Sequence, residues 1–369
     1  MRRSTWFSAT AVVSALAMLL VFFGMLPASS AYAGEATPTQ GYKVLSPITH
    51  ANLTIFPVVA SSARDTSGFL TLDEGLRSGE VVVTEAGRIA MVRRPGQRDW
   101  LPNGGAQVNN LVLVNNSKRP LLLLAGEIVT GGKQDRVIAT DRIVPAGSDP
   151  MDLGVFCVEP GRWTATSDKF GGFSQMAQPS VRHKAMGAKS QQEVWAEVNS
   201  SKDSATRNVA AASPAAAASL GGTSSYARVM GNDEVKRQVD AIAAPVQASF
   251  TGVLNELRDR NAVGVVVAVN GRIIWADIFA STSLLEKYWP KLSRSYAAEA
   301  YVRGGNASSV DLAAAQRFLN EASGTREVSE VEPGVYRHTE VSGNGYRVFE
   351  LTSLLPKTGF DLHIAKMAE

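Results

Sequence analysis

Cysteine is almost absent from this chain: Cys157 is the only one in 369 residues. That excludes an intramolecular disulfide in any compartment, and any zinc site built on paired thiolates. Cys157 sits in Gly154-Val155-Phe156-Cys157-Val158, an apolar run that suits a buried, inert thiol better than a nucleophile. Histidine is scarce too. His50, His183, His338 and His363 are scattered with no H-E-x-x-H pattern, so no metal site is read from them. Oxygen ligands leave no sharp signature, so carboxylate-bound Ca²⁺ or Mg²⁺ at Glu127, Asp135 or Glu159 stays open.

A large excess of one charge is also missing. The formal charge is +3, which gives no electrostatic footprint for nucleic acid or an anionic membrane surface. Long apolar runs are confined to the N-terminus. Arg2 and Arg3 precede an apolar run from Ala9 to Leu26, and Ala31-Tyr32-Ala33 supplies an A-x-A cleavage signal. Residues 1–33 therefore read as a secretory signal peptide, with an uncleaved anchor as the alternative. The expectation is an exported protein, periplasmic or extracellular, with no other membrane contact. Removing residues 1–33 takes away two arginines and no acid, lowering the charge from +3 to +1.

Familiar catalytic signatures are near misses. Gly126 to Gln134 (GEIVTGGKQ) resembles a phosphate-binding loop, but its glycines are one residue too far apart, and Gln134 stands where a Ser or Thr is needed for Mg²⁺. Leu355-Pro356-Lys357-Thr358-Gly359 lacks the hydrophobic span that a cell-wall sorting signal requires, and reads as a turn. No S-x-x-K or G-x-S-x-G occurs.

What is present is a β-rich first half. Short apolar runs recur about every ten residues, among them Tyr42–Ala60, Val81–Thr84, Ile89–Val92, Leu111–Val114, Leu121–Leu124, Val137-Ile138, Ile143-Val144 and Val155–Val158. This spacing predicts a sandwich or jelly-roll-like lobe over residues 34–198. Two hairpins are predicted there: Val81–Thr84 with Ile89–Val92, and Leu111–Val114 with Leu121–Leu124. Leu70–Leu76 and Gln191–Val198 read as short helices, and Thr164–Pro179 as a long loop. Residues 199–224, rich in Ala and Ser, read as a flexible insert. Residues 225–369 read as helices plus an antiparallel sheet. Helices are expected at Asp233–Arg260, Ser281–Arg303 and Val310–Glu321, with a hairpin turning at Asn270-Gly271. Three last strands are expected near Val335–Glu340, Arg347–Leu351 and Phe360–Ala365. The fold class is α+β.

The densest set of functional groups lies between Leu121 and Trp163. Gly131 and Gly132 form a turn whose amides can face an anion, and Lys133 and Arg136 add positive charge, with Gln134 and Asp135 between them. Arg162 and Trp163 can fork and stack onto a planar or anionic ligand. Glu127 and Glu159, each beside a strand, are the acid–base candidates. The competing reading is a structural latch in which these acids and bases neutralise each other, with the protein acting as a non-enzymatic envelope or interaction domain. The sequence implies no particular cofactor or protein partner.

Gly126–Arg136 (GEIVTGGKQDR) and Val155–Trp163 (VFCVEPGRW) resemble a bacterial domain family associated with ADP-ribosylglycohydrolase, rhodanese and phosphatase-superfamily proteins. Val194-Trp195, Val265–Phe279, Tyr288–Leu292 and Ser295–Ala300 are similar to it as well. The resemblance spans roughly Tyr42 to Ala365 and implies that the two halves form one unit. It suggests nucleotide-derived or ADP-ribose-like ligands by association, so a small anionic, nucleotide- or sugar-phosphate-like ligand is expected, and export departs from the cytoplasmic context of ADP-ribose.

Overall fold

A computed structural model describes residues 41–91, 106–257 and 261–369. The signal segment read at residues 1–33 lies outside them. The first half contains β1 (Tyr42–Val44), β2 (Ile48–His50), β3 (Leu53–Ala60), β4 (Leu70–Thr71), α1 (Leu72–Ser78), β5 (Val81–Thr84), β6 (Asn110–Asn115), β7 (Leu121–Leu123), β8 (Ile128–Thr130), β9 (Arg136–Ile138), β10 (Arg142–Val144), β11 (Met151–Cys157) and β12 (Gly171–Gly172). Helices follow: α2 (Pro179–His183) running into a π-helical turn at Lys184–Ala188, α3 (Gln191–Ala210), α4 (Pro214–Gly221), α5 (Tyr226–Gly231) and α6 (Asp233–Glu256). The chain ends with β13 (Ala262–Val269), β14 (Arg272–Phe279), α7 (Thr282–Arg303), α8 (Leu312–Asn320), β15 (Thr325–Glu332), β16 (Tyr336–Gly343), β17 (Tyr346–Ser353) and β18 (Asp361–Ala368). The class is α+β, with strands dominating the first half.

Three sheets organise these elements. A nine-stranded sheet runs β1-β3-β13-β14-β18-β17-β16-β15, with β2 added on β3. Its middle strands are apolar on both faces because both faces are covered. Val265, Val267 and Val269 of β13 join the cluster that holds Phe250 of α6 and Leu285 and Leu292 of α7. Val263 and Val266 of the same strand meet Ala315 and Leu319 of α8 on the other face. The β13–β14 hairpin turns at Asn270 (φ +52°) and Gly271 (φ +75°), the left-handed pair a primed turn requires. A three-stranded sheet (β10-β7-β4) and a six-stranded one (β12-β8-β9-β11-β6-β5) share one apolar cluster built from Leu70, Leu121, Leu123 and Val144 on one side and Val83, Leu113, Val129 and Val155 on the other.

Both hairpins predicted in the first half are corrected. Residues 86–91 form a 3₁₀ turn, and β5 pairs with β6 instead. β6 and β7 belong to different sheets, β6 pairing with β11 and β7 with β10 and β4. Asn115 redirects the chain between them: its side-chain amide donates to the carbonyls of Arg119 and Pro145, and its oxygen accepts from Ser117 N–H. The insert read at residues 199–224 is largely helical. α3 continues to Ala210, burying Ala205 and Val209, and Leu220 anchors α4. Alanine has the highest helix propensity and packs at close range, so few large side chains are needed. β15 escaped the strand pattern because it is an edge strand, exposed along most of its length.

Candidate functional site

The turn between β8 and β9 carries the first group of candidate residues. Gly131 N–H donates to Asp135 Oδ1 at 3.0 Å, Gly132 N–H to Ser167 Oγ at 3.1 Å, and Lys133 N–H to Glu85 Oε1 at 2.8 Å. The amides expected to face an outside anion are thus bonded to acceptors of the protein itself. Arg162 closes the same turn. It donates to Glu159 Oε2 at 2.5 Å and to the carbonyls of Gly132 (2.9 Å) and Gly131 (3.3 Å), and lies 3.5 Å from Asp135 Oδ1. Asp135 N–H donates to Glu159 Oε2 at 3.0 Å, and the N-cap serine of α5, Ser225, donates to Asp135 Oδ2 at 2.7 Å. The hydrogen bond it donates to Glu159 holds the Arg162 guanidinium above its ordinary pKa, while burial pushes the Asp135 carboxyl up. These charges tie three chain segments together, as a latch does.

Not every charge in the stretch is spent this way. Among the described residues no carboxylate lies within ion-pair reach of the Lys133 ammonium, which rests 4.8 Å from the centroid of the Trp163 ring. The Arg136 guanidinium lies 6.0 Å from the same ring. Trp163 is 44% exposed, so this ring stands at the surface above two cations. Arg136 itself is fully buried; Nε donates to Val108 O at 2.9 Å and Nη1 to Asp135 O at 3.4 Å, while Nη2 has no partner among the described residues. Burial lowers its pKa and Glu85 acts against that fall. Glu85 Oε2 and Gln134 Oε1 are likewise buried without partners. Each such atom costs about 1–3 kcal/mol unless solvent or a ligand completes its bonding.

Glu127 and Glu159 do not form a carboxylate pair: they share no partner, and each has its own cation. Glu127 is fully buried, accepts from Leu124 N–H at 2.9 Å, and lies 3.3 Å from Lys291 Nζ of α7. Lys291 also reaches Asp73 at 2.9 Å. Asp73 is placed in the first turn of α1 by a capping box, in which Thr71 and Glu74 bond each other's backbone amides. Burial raises the Glu127 carboxyl to about 7, against the opposing pull of Lys291.

Sequence reasoning missed a second buried network. Arg182 of α2 forks onto Asp277 of β14 with two bonds of 2.8 Å, and Tyr296 of α7 donates to the same carboxylate. His363 of β18 bridges Asp277 Oδ1 (3.1 Å) and Asp141 Oδ2 (2.6 Å), and Asp141 Oδ1 accepts from Ala125 N–H at 2.7 Å. Burial alone would depress the imidazole, but the two flanking carboxylates raise it to about 9. Asp277 is depressed well below the carboxylate range: burial opposes ionisation, and Arg182 and His363 overcome it. Gly126 makes room for this network. Its φ is +95°, and a Cβ there would stand 2.6 Å from Arg182 Cγ. The signal in the sequence was Asp277 itself, a lone acid inside the apolar run Ile273–Phe279.

The family model described as ARG and Rhodanese-Phosphatase-superfamily-associated Protein domain matches residues 41–360. The chain belongs to this family. Neither a curated protein nor a solved structure matches the chain. In this ARPP domain the motif Gly126–Arg136 serves three regions at once: Gly126 and Glu127 face the buried networks, Asp135 the latch, and Lys133 and Arg136 the Trp163 ring.

Proposed function

We propose that this ARPP domain binds a small anionic ligand at the surface formed by Lys133 and Trp163, with the buried Arg136 guanidinium beneath the same ring. The observation that carries this reading is Arg136: a fully buried guanidinium with Nη2 unpartnered among the described residues, beside an exposed ring that also seats an unpaired ammonium. A phosphate or carboxylate would supply the acceptors these cations lack, and a flat group attached to it would stack on Trp163. The reading is of binding rather than chemistry, because Glu127 and Glu159 are both committed to cations. The export read from residues 1–33 places the ligand outside the cytoplasm in this proposal.

Thermal shift with inorganic phosphate, a sugar phosphate and a mononucleotide tests it. At least one should raise the melting temperature of the wild type, and Lys133→Ala and Trp163→Ala should remove that rise while leaving the ligand-free melting point unchanged. A second reading, an interaction domain with a purely structural charged motif, draws on the Glu159–Arg162–Asp135 pairing. It gains if no anion stabilises the wild type and only Arg162→Ala lowers the melting point. Cell fractionation, with and without residues 1–33, tests export; retention of the full chain in the cytosol would overturn that part.

A further inference from the structure

A cleft of about 290 Å³ opens elsewhere, between the segment leading into β10 and the face of β15, β16 and β17. Its volume lies at the lower edge of small-molecule sites, roughly 300–1,000 Å³. One wall is Thr140, Asp141 and Arg142; the other carries Ser329 and His338, which stand opposite each other across the β15–β16 ladder. Tyr336, Phe349 and Met186 supply apolar surface.

The charges that line it are almost all committed. Asp141 is held by His363, Arg142 by Glu332, Lys189 by Glu340 and Glu350 by Arg326. Only Glu327, exposed at the rim, has no ion-pair partner among the described residues. An ionic ligand would therefore meet little unbalanced charge, whereas hydrogen-bonding capacity is left over. Arg142 Nε is buried with no partner among the described residues. The His338 ring lines the cleft edge-on to Tyr336, 5.2 Å between centroids, and a neutral imidazole carries one donor and one acceptor. Burial holds His338 below its ordinary pKa against the pull of Asp141, and Arg142 and Lys189 act with it. Ser329 and Thr140 add hydroxyls that both donate and accept.

We propose that this cleft is a second binding site, for a neutral polyhydroxylated ligand of mono- or disaccharide size. Spare donors and acceptors beside aromatic surface match alternating hydroxyls and C–H faces, and the paired ions hold that geometry rigid without demanding a counter-charge. The reading is independent of the anion site at Lys133.

Saturation-transfer NMR and thermal shift on the full chain test it, using glucose, galactose, N-acetylglucosamine and their common disaccharides at millimolar concentration. At least one sugar should bind and stabilise the wild type. His338→Phe should weaken it by about tenfold, the equivalent of one lost hydrogen bond. Ser329→Trp, at an exposed position on the rim, should block it without lowering the melting point. Lys133→Ala should leave it unchanged. No transfer to any sugar, or binding that survives Ser329→Trp, would overturn the proposal, as would stabilisation by phosphate that Ser329→Trp abolishes.

Discussion

At the scale of single residues, the buried ions decide how this protein responds to pH. His363 has a folded pKa of about 9 against an ordinary 6.5. It therefore contributes stability that is fully present below pH 6.5 and is lost as pH rises through 9. At about 1.4 kcal/mol per pH unit the effect is on the order of 3 kcal/mol. Glu127, raised to about 7 by burial, acts in the same direction over a lower window: its contribution is full below its ordinary carboxyl pKa and fades through pH 7. Asp277, depressed once Arg182 and His363 outweigh burial, works the other way, losing its contribution as pH falls below the carboxylate range. Urea unfolding from pH 5 to 10 should show stability still declining between pH 7 and 9, and His363→Gln should be less stable and should lose the part of the decline above pH 7, keeping the Glu127 part below it. A wild type that is flat between pH 7 and 9 would mean the imidazole is neutral in the fold. Lys291→Met makes the companion case. It strands Glu127 in the interior and should cost about 3–5 kcal/mol, with Glu127→Gln added in the same chain recovering part of the loss.

At the scale of elements, the sequence was legible where one period dominates and obscure where pairing is non-local. The Asn270-Gly271 hairpin and α7 follow from local chemistry, the first from positive φ and the second from apolar residues at helical spacing. β5 and β6 were also visible as strands, but their pairing was not. Nothing local in Val81–Thr84 distinguishes a partner at residues 110–115 from one at 89–92; the choice is made by the sandwich that buries both strands. The charged motif shows the same limit. Its residue types announced a cluster, but only the fold could separate the charges that meet each other from those left facing Trp163. The Ala-rich segment misleads for a different reason: its low complexity reads as a flexible insert, although Ala itself favours helix and Leu220 supplies one deep anchor. Leu220→Ala should therefore cost roughly 2–5 kcal/mol if α4 is integral to the core. A change within a few tenths of a kcal/mol by urea titration would show that α4 contributes little.

At the scale of the whole molecule, the sheet pairing joins what composition would divide. β3 is hydrogen-bonded along its length to β13, with Leu53 opposite Val269 and Val59 opposite Ala262, so the two strands are separated by some two hundred residues of intervening chain. The main apolar cluster likewise draws Leu53, Leu122 and Ile128 from the first half and Phe250, Leu285 and Tyr296 from the second. Cutting the chain near residue 224 would leave β3 and β13 each with an unpaired apolar edge, a template for aggregation rather than a finished domain. The Lys291–Glu127 and Arg182–Asp277 pairs would lose one member each, leaving buried ions uncompensated. Residues 41–224 and 225–369 expressed apart should therefore be insoluble or lack a cooperative melt, and their co-expression should give a soluble complex with one transition. A cooperative melt from either fragment alone would show that the long-range ladder is an interface between independent folding units. In that case the charge networks would be docking contacts, and pairs such as Lys291–Glu127 should contribute to association of the fragments rather than to the stability of either one.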